Sequence, residues 1–182
     1  PQGERTVVNV ARCEEAVPPQ RLLTLAADAV YVRSRRHDLA PLLARKADEA
    51  LVVAHVPPLD PGSRPAQVLV ASASDLDREL TRDPLALGRS VAGERMRWIV
   101  VTAGAAGAKA TSESEGQDVP AETVAAVDTT GAGDAFAAGL VHALVSGASM
   151  SDAMRLAVRF GTEATQWRTS ALPPEAVRRL LR

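Results

Sequence analysis

The residues best suited to chemistry lie in one short stretch, Asp128-Thr129-Thr130-Gly131-Ala132-Gly133-Asp134. The segment that follows, 135–145, has no proline and a single interior glycine, so we expect a helix to start at the glycine turn. The first N–H groups of a helix have no intrahelical partner, and the helix dipole is positive at that end. The sequence therefore predicts an anion site on the backbone of Gly131, Ala132 and Gly133.

A carboxylate, Asp134, closes the same turn. A carboxylate beside a bound phosphate repels it, so this position needs a chemical reason, and accepting the proton of an attacking hydroxyl is one. Gly131 and Gly133 permit backbone angles that other residues resist, and they let a ligand approach closely. We expect Asp134 to be the general base and the residue that meets the substrate hydroxyl. The alternatives are an acid that only complements the helix dipole, and an ordinary glycine turn capped by Asp.

The seven residues 128–134 resemble the signature of the ribokinase-like (PfkB) carbohydrate kinase family, and the resemblance continues through Ala135-Phe136. The stretch is not a P-loop, because no Lys-Ser or Lys-Thr follows the glycines. It is not the dinucleotide fingerprint either, because the third glycine of that pattern would fall on Phe136. The resemblance implies ATP-dependent phosphorylation of a hydroxyl of a sugar or related small molecule, with Mg²⁺ and a monovalent cation as cofactors. A nucleoside kinase of the same fold and a non-catalytic nucleotide-binding or interaction domain left by truncation are the alternatives.

The resemblance also implies where the nucleotide binds. The stretch 100–108 looks like the strand and loop that the family places against the phosphates and ribose of ATP. The expected nucleotide-binding residues are Thr102, Gly104, Gly107 and Thr130. A plain turn at the end of a strand is the competing interpretation of the loop.

A magnesium site is implied in the same way. Ser72-x-x-Asp75 occupies the place of the family's Asn-x-x-Glu motif, which organises Mg²⁺ largely through water. Both changes keep oxygen atoms, which suit a hard cation. We expect Asp75 and Asp128 to be the metal residues. Helix capping by Asp75 and an Asx-turn at Asp128 are the alternatives.

Composition excludes several classes of function. The chain has 182 residues, 46% of them hydrophobic and 24% charged, with a net charge of -1, which fits a globular protein without a nucleic-acid or membrane surface. Cys13 is the only cysteine, so an internal disulfide is excluded and a reducing cytoplasm is expected. Arg33, Arg35 and Arg36 form a basic cluster, for which a solvated surface is the default and a phosphate contact the alternative.

Strand-like apolar runs alternate with helical segments, which favours a mainly parallel sheet with helices on both faces, the three-layer αβα architecture. We expect strands at 6–10, 29–32, 51–54, 68–71 and 98–102, with an extended or strand approach at 124–127. We expect helices at 20–26, 75–80, 85–91, 133–145, 151–165 and 174–181, a helix after an Asp38 cap, and a hairpin within 108–126. The loops at Gly104, Gly131 and 71–75 would converge beyond the strand ends, where such sheets bind ligands.

We expect residues 1–182 to form a single, partial ribokinase-like domain. Members of the resembled family are longer, and we expect the chain to begin at Pro1 after their first half, so that the fold lacks its N-terminal part and lid. The residues that select a sugar or nucleoside would then lie outside the sequence. An uncovered sheet edge favours association, so we expect that a homodimer can form.

Overall fold

A computed structural model describes residues 19–76 and 82–182. The described residues form one six-stranded sheet whose strands lie side by side in chain order. The strands are β1 (Ala29–Val32), β2 (Leu51–Val56), β3 (Val68–Ser72), β4 (Trp98–Thr102), β5 (Ala108–Thr111) and β6 (Gly116–Val119). Strands β1 to β4 are parallel, and β5 and β6 form an antiparallel hairpin on β4. The predictions of a mainly parallel sheet and of the hairpin are confirmed.

Helices cover both faces of the sheet. The α-helices described in full are α1 (Ala40–Lys46), α2 (Pro84–Ala92), α3 (Ala132–Val145), α4 (Met150–Ala164) and α5 (Pro174–Leu180). Short 3₁₀ helices lie at Gln20–Leu23, where a longer helix was expected, at Gly93–Arg95 and at Gly104–Ala106.

The core is divided by the sheet into two layers. On one face, Leu43 of α1 and Val91 of α2 pack with Leu69 of the sheet, while on the other Phe136 and Leu140 of α3 lie against a second set of buried side chains. Neighbouring residues of the central strands point to opposite faces and are buried on both, which explains why those strands are continuously apolar. The three-layer αβα architecture is confirmed.

Helices α3 and α4 pack closely because a glycine lies between them. A Cβ atom built on Gly139 would lie 3.0 Å from Cγ of Phe160 and 3.1 Å from Cα of Ala157, both on α4. The close contact fixes the start of α3, which carries the glycine turn, relative to the sheet.

One local prediction is wrong, and for a second, one of its two expected forms is not found. Asp38 does not cap α1, because the helix begins at Ala40 after Leu39 and no side chain caps it. The Asp38 carboxylate instead accepts two hydrogen bonds from Arg36, Nε to Oδ1 at 2.8 Å and Nη2 to Oδ2 at 2.5 Å, and these lower the pKa of Asp38. The local guanidinium is a stronger partner for the carboxylate than backbone N–H groups.

The approach to the glycine turn was expected to be a strand or an extended segment, and the strand is not found. Strand β6 ends at Val119, and 120–126 have no regular structure. The N–H groups of Val127 and Asp128 donate to the Thr165 carbonyl at 2.8 and 3.1 Å, so the turn is held by the end of α4 and not by the sheet. The expected strand at 6–10 and most of the expected helix at 75–80 lie outside the described residues. Within the described part of the chain, none of the helices has the length and hydropathy of a membrane span.

Candidate active site

The glycine turn has the geometry that an anion site needs. Gly131 immediately precedes α3 and has a φ of 82°, a conformation that side chains resist. A Cβ atom there would also lie 2.1 Å from the Ser170 carbonyl oxygen. Gly133, in contrast, has no atom within 4 Å of where a Cβ would stand. Gly131 is therefore required by the fold, while Gly133 leaves an open surface at the start of the helix.

Most N–H groups of the turn are unused by the backbone. Thr130 N–H donates to Oδ1 of Asp128 at 2.8 Å, an Asx-turn, and Ala132 N–H donates to the Thr129 carbonyl at 3.3 Å. Within the described residues, the N–H groups of Gly131 and Gly133 make no hydrogen bond to the backbone outside regular helix pairing. The start of α3 thus offers donors and the positive end of the helix dipole to an anion.

Asp134 lies in the first turn of α3 and contacts an arginine that is distant in sequence. Nη1 of Arg33, the residue directly after β1, donates to Oδ1 of Asp134. The side chains are 48% and 52% exposed, so both can be reached by a small molecule. For Arg33 the sequence suggested a solvated surface, with a phosphate contact as the alternative. No local pattern signals the contact with Asp134, because the two residues are 101 positions apart.

The loops after β3 and β4 are joined. Oγ1 of Thr102 donates to the Ala71 carbonyl at 3.2 Å, and the N–H of Ala73 donates to the Thr102 carbonyl at 2.8 Å. Gly104 has a φ of 55° with open space around it, whereas a Cβ on Gly107 would lie 2.1 Å from the Val119 carbonyl oxygen. A loop therefore lies where a nucleotide-binding loop was expected, and the close packing of Gly107 against β6 explains the glycine at that position. No hydrogen bond or ion pair between described residues joins this loop to the turn at 131–134.

The two expected metal residues do not form a cluster. Among the described residues, no group of three or more His, Cys, Asp and Glu side chains is arranged to hold a metal ion. Asp75 follows β3 in a turn whose N–H donates to the Ser72 carbonyl at 2.9 Å, and Asp128 closes its Asx-turn. Each can supply only an oxygen ligand to an ion held mainly by water and phosphate, which is a common arrangement for Mg²⁺.

Beside these loops lies His55, a half-buried residue that the sequence did not single out. It lies near the carboxyl end of β2, where the sheet side chains around it are apolar. Burial is the largest cause of its lowered pKa; Arg33 and Arg35 lower that pKa further, and the carboxylate of Asp75 opposes them. His55 is thus electrostatically coupled to the loops after β1 and β3.

A groove of about 710 Å³ lies at the amino ends of the parallel strands, opposite to the glycine turn. Asp28, Leu51, Val68 and Trp98, which precede or begin strands, line it together with the end of α3. Parallel sheets bind their ligands at the carboxyl ends of the strands, where Arg33, loop 102–107 and the glycine turn are found. The groove is therefore not the candidate site.

Comparison with known proteins agrees with this geometry. Residues 39–176 match the pfkB family carbohydrate kinases. The chain is 32% identical over 169 residues to the ATP-dependent ribose-1-phosphate kinase of Halopiger xanaduensis, covering 85% of this chain and 55% of that protein. It is 36% identical over 107 residues to a fructokinase of Salmonella typhimurium, covering 58% of this chain and 34% of that protein.

Solved structures share the fold. The ribokinase of Thermotoga maritima superimposes with a TM-score of 0.67 at 19% identity, over 85% of this chain and 57% of that one. A microbiome-derived acarbose kinase superimposes with a TM-score of 0.74 at 22% identity, over 99% of this chain and 65% of that one. The chain spans about half the length of the ribose-1-phosphate kinase and a third of the fructokinase. Because the family match covers most of its residues, the chain belongs to the pfkB family of carbohydrate kinases.

Proposed function

We propose that the protein is an ATP-dependent kinase that phosphorylates a hydroxyl group of a sugar or related small molecule. The observation that carries the proposal is the turn from Gly131 to Asp134, with unused N–H groups and a half-exposed carboxylate at the start of a 14-residue helix. Phosphoryl transfer depends on positioning and on stabilising charge, and this turn supplies donors for the phosphoryl oxygens and a base for the acceptor. Membership of the family supports the same reaction class.

In the proposed mechanism, Asp134 accepts the proton of the acceptor hydroxyl. The hydroxyl oxygen forms a bond to the γ-phosphorus of ATP as the bond from that phosphorus to the departing ADP oxygen breaks. The N–H groups of Gly131 and Gly133, with the helix dipole, stabilise the negative charge of the transferred group. The Ala132 N–H, held at 3.3 Å by the Thr129 carbonyl, joins them when phosphate is bound.

We assign the nucleotide to the loop after β4 and to the glycine turn, with Thr102, Gly104, Gly107 and Thr130 as its contact residues. The hydrogen bonds of Thr102 to Ala71 and Ala73 support this assignment, because they hold the ends of β3 and β4 together where the nucleotide would bind. The relative from Halopiger xanaduensis is described as ATP-dependent, which supports ATP as the donor.

We further propose that Mg²⁺ is bound near Asp75 and that Asp128 supports a divalent or monovalent cation. When bound, Mg²⁺ neutralises phosphate charge. The oxygen chemistry of both carboxylates supports this assignment. Since a single cysteine suits a reducing compartment, we also infer that the protein works in the cytoplasm. We also propose that the protein forms a homodimer, because an exposed sheet edge favours association.

The test is the substitution Asp134→Asn in the full-length protein. Asn keeps the size of the side chain but cannot accept the proton, so we expect kcat to fall on the order of 10²-fold or more with nucleotide affinity little changed. Asp152→Asn is the matched control, because Asp152 is an exposed acid in the first turn of α4. Turnover of Asp134→Asn within a few-fold of the parent would remove Asp134 from the role of base.

The acceptor panel for this assay should contain sugars and nucleosides. Nucleoside kinase stays an alternative because a structural relative, the aminoimidazole riboside kinase of Salmonella enterica, is 25% identical over 76% of this chain. If no acceptor stimulates ATP consumption by the parent protein, and the protein still binds nucleotide measurably, the non-catalytic nucleotide-binding alternative is favoured instead.

A further inference from the structure

The segment 165–170, which follows α4, touches the glycine turn at both of its ends. At the first end, the Thr165 carbonyl accepts the N–H groups of Val127 and Asp128 at 2.8 and 3.1 Å. At the other end, a Cβ atom on Gly131 would lie 2.1 Å from the Ser170 carbonyl oxygen and 2.9 Å from its carbonyl carbon. The position of the proposed anion site therefore depends on the course of this segment.

The backbone of the segment holds only its first half. The N–H groups of Thr165, Gln166 and Trp167 donate to carbonyls of the last turn of α4 at 3.1 to 3.3 Å. The N–H groups of 168–170 donate to no backbone carbonyl of a described residue outside regular helix pairing. The part of the segment that reaches Gly131 must therefore be fixed mainly by side chains.

One acidic side chain, Glu163 in the last turn of α4, makes the connection. Its Oε1 accepts a hydrogen bond from Nε1 of Trp167 at 3.0 Å and another from Nη2 of Arg179 at 2.5 Å. Trp167 belongs to the segment, and Arg179 lies on α5, which is docked through the buried side chains of Ala176 and Leu180. Glu163 therefore joins α4, the segment and α5.

The surroundings of Glu163 make its bond to Trp167 the stronger of the two. The Glu163 side chain is only 15% exposed, whereas that of Arg179 is 61% exposed, so solvent screens the ion pair. Trp167 is partly buried, and its Nε1–H, which can only donate, needs an acceptor there. A hydrogen bond to a charged acceptor is also stronger than one between neutral groups.

We propose that Glu163 is a positioning residue for the catalytic turn. By holding Trp167 it fixes the segment 165–170, and through the two carbonyl contacts of that segment it sets where the N–H groups of the anion site lie. The inference rests on the proposed kinase function and deepens it, because it names a residue outside the stretch 128–134 that determines the geometry of the turn.

The first experiment needs no turnover. Hydrogen exchange by mass spectrometry compares the full-length parent with Glu163→Ala in the absence of ligand. We expect the amides of 127–128, which donate to Thr165, to exchange about 10-fold faster in the variant, while those of 68–72 in β3 keep their rate. Equal acceleration in both regions would show a global loss of stability, and no acceleration at 127–128 would show that the turn is held without Glu163. Either outcome overturns the inference.

Turnover with ATP gives the second measurement. Misplaced donors weaken charge stabilisation in the transition state more than binding of the ground state. We therefore expect kcat of Glu163→Ala to fall by at least about 10-fold while KM for ATP changes by less than about 2-fold. Glu163→Gln keeps an acceptor oxygen for Trp167 and should restore kcat to within about 3-fold of the parent. Glu175→Ala, which removes an exposed acid from α5, is the matched control and should change neither value.

Trp167→Phe tests the same bond by a smaller change, which keeps an aromatic ring and removes the donor. We expect it to speed exchange at 127–128 and to lower kcat in the same direction as Glu163→Ala. The double variant should be no worse than Glu163→Ala alone, because both substitutions break one interaction. Parental exchange and kcat in Trp167→Phe, or fully additive losses in the double variant, would overturn the inference even if Glu163→Ala does not fold.

Failure of the kinase function is distinguishable from failure of this inference. If no acceptor stimulates ATP consumption by the parent, the proposed kinase function fails, and the exchange rates at 127–128 alone decide whether Glu163 positions the turn. If the parent is an active kinase and Glu163→Ala keeps its kcat, the kinase function stands and the role of Glu163 is overturned.

Discussion

Nη2 of the buried Arg64 donates a 2.5 Å hydrogen bond to the carbonyl of Ser34, and this bond ties the loop after β2 to the loop after β1. Arg64 lies 30 residues from Ser34 in the chain, and it is completely buried. The bond holds the segment that carries Arg33 to the sheet, although the same segment is exposed on its outer side. The loop that touches Asp134 is therefore supported from the protein interior.

Substituting Arg64 by Met tests that support. Met fills a similar volume but cannot donate, so we expect amide hydrogen exchange at 33–36 to become about 10-fold faster. Loss of the hydrogen bonds is offset by removal of a buried charge, so the free energy of unfolding should change by less than about 2 kcal/mol. Hydrogen exchange by mass spectrometry and denaturant unfolding give the two values, with the exposed Arg97→Met as control. Unchanged exchange at 33–36 would mean that the loop is held by other contacts.

The glycine turn predicts opposite results for two Ala substitutions. Gly131→Ala combines a positive φ with a clash against the Ser170 carbonyl, so we expect a loss of about 1–3 kcal/mol in the free energy of unfolding. Gly133→Ala meets no atom within 4 Å and should be as stable as the parent, or more so. Its methyl group nevertheless covers the open surface at the anion site, so we expect turnover to fall. Full turnover by a stable Gly133→Ala protein would show that no phosphate binds against that surface.

The metal assignment is tested at Asp75. Glu at this position keeps the carboxylate and extends it by one methylene, so Asp75→Glu should retain or improve magnesium-dependent activity. Asp75→Ala should raise the Mg²⁺ concentration needed for half-maximal rate. Asp118→Ala, which removes an exposed acid from β6, is the control. Identical magnesium titrations for the parent and Asp75→Ala would make the assignment of Asp75 wrong.

His55 predicts a pH dependence of stability. Burial and the neighbouring arginines lower its pKa in the folded protein, so near and below its ordinary value of 6.5 the unfolded chain binds more protons than the folded one. The free energy of unfolding should therefore decrease as the pH falls through and below 6.5. His55→Gln should flatten that part of the curve, and the exposed His142→Gln should not. Parallel curves for the parent and His55→Gln between pH 5 and 7 would contradict the lowered pKa.

Local sequence patterns were sufficient to predict most strands and helices of the fold. Continuous apolar runs predicted β1 to β4, because strands of a parallel sheet are buried on both faces and need no polar alternation. The glycine turn and the position of Asp134 at the start of α3 also followed from spacing alone, since helix starts depend on a few adjacent residues. The prediction that Asp38 caps α1 was wrong, because local sequence does not decide between two nearby partners. The carboxylate bonds to the side chain of Arg36 and not to the N–H groups of the helix.

Only the tertiary structure determined which side chains meet Asp134. Arg33 lies 101 residues away from it, and their contact depends on β1 and α3 being brought together by the sheet. The same holds for Arg64 beneath Ser34, and for Gly107, whose close approach to Val119 depends on the register of the hairpin. Such contacts are set by strand order and helix packing between distant segments, and the residue spacing within any one segment carries no information about them.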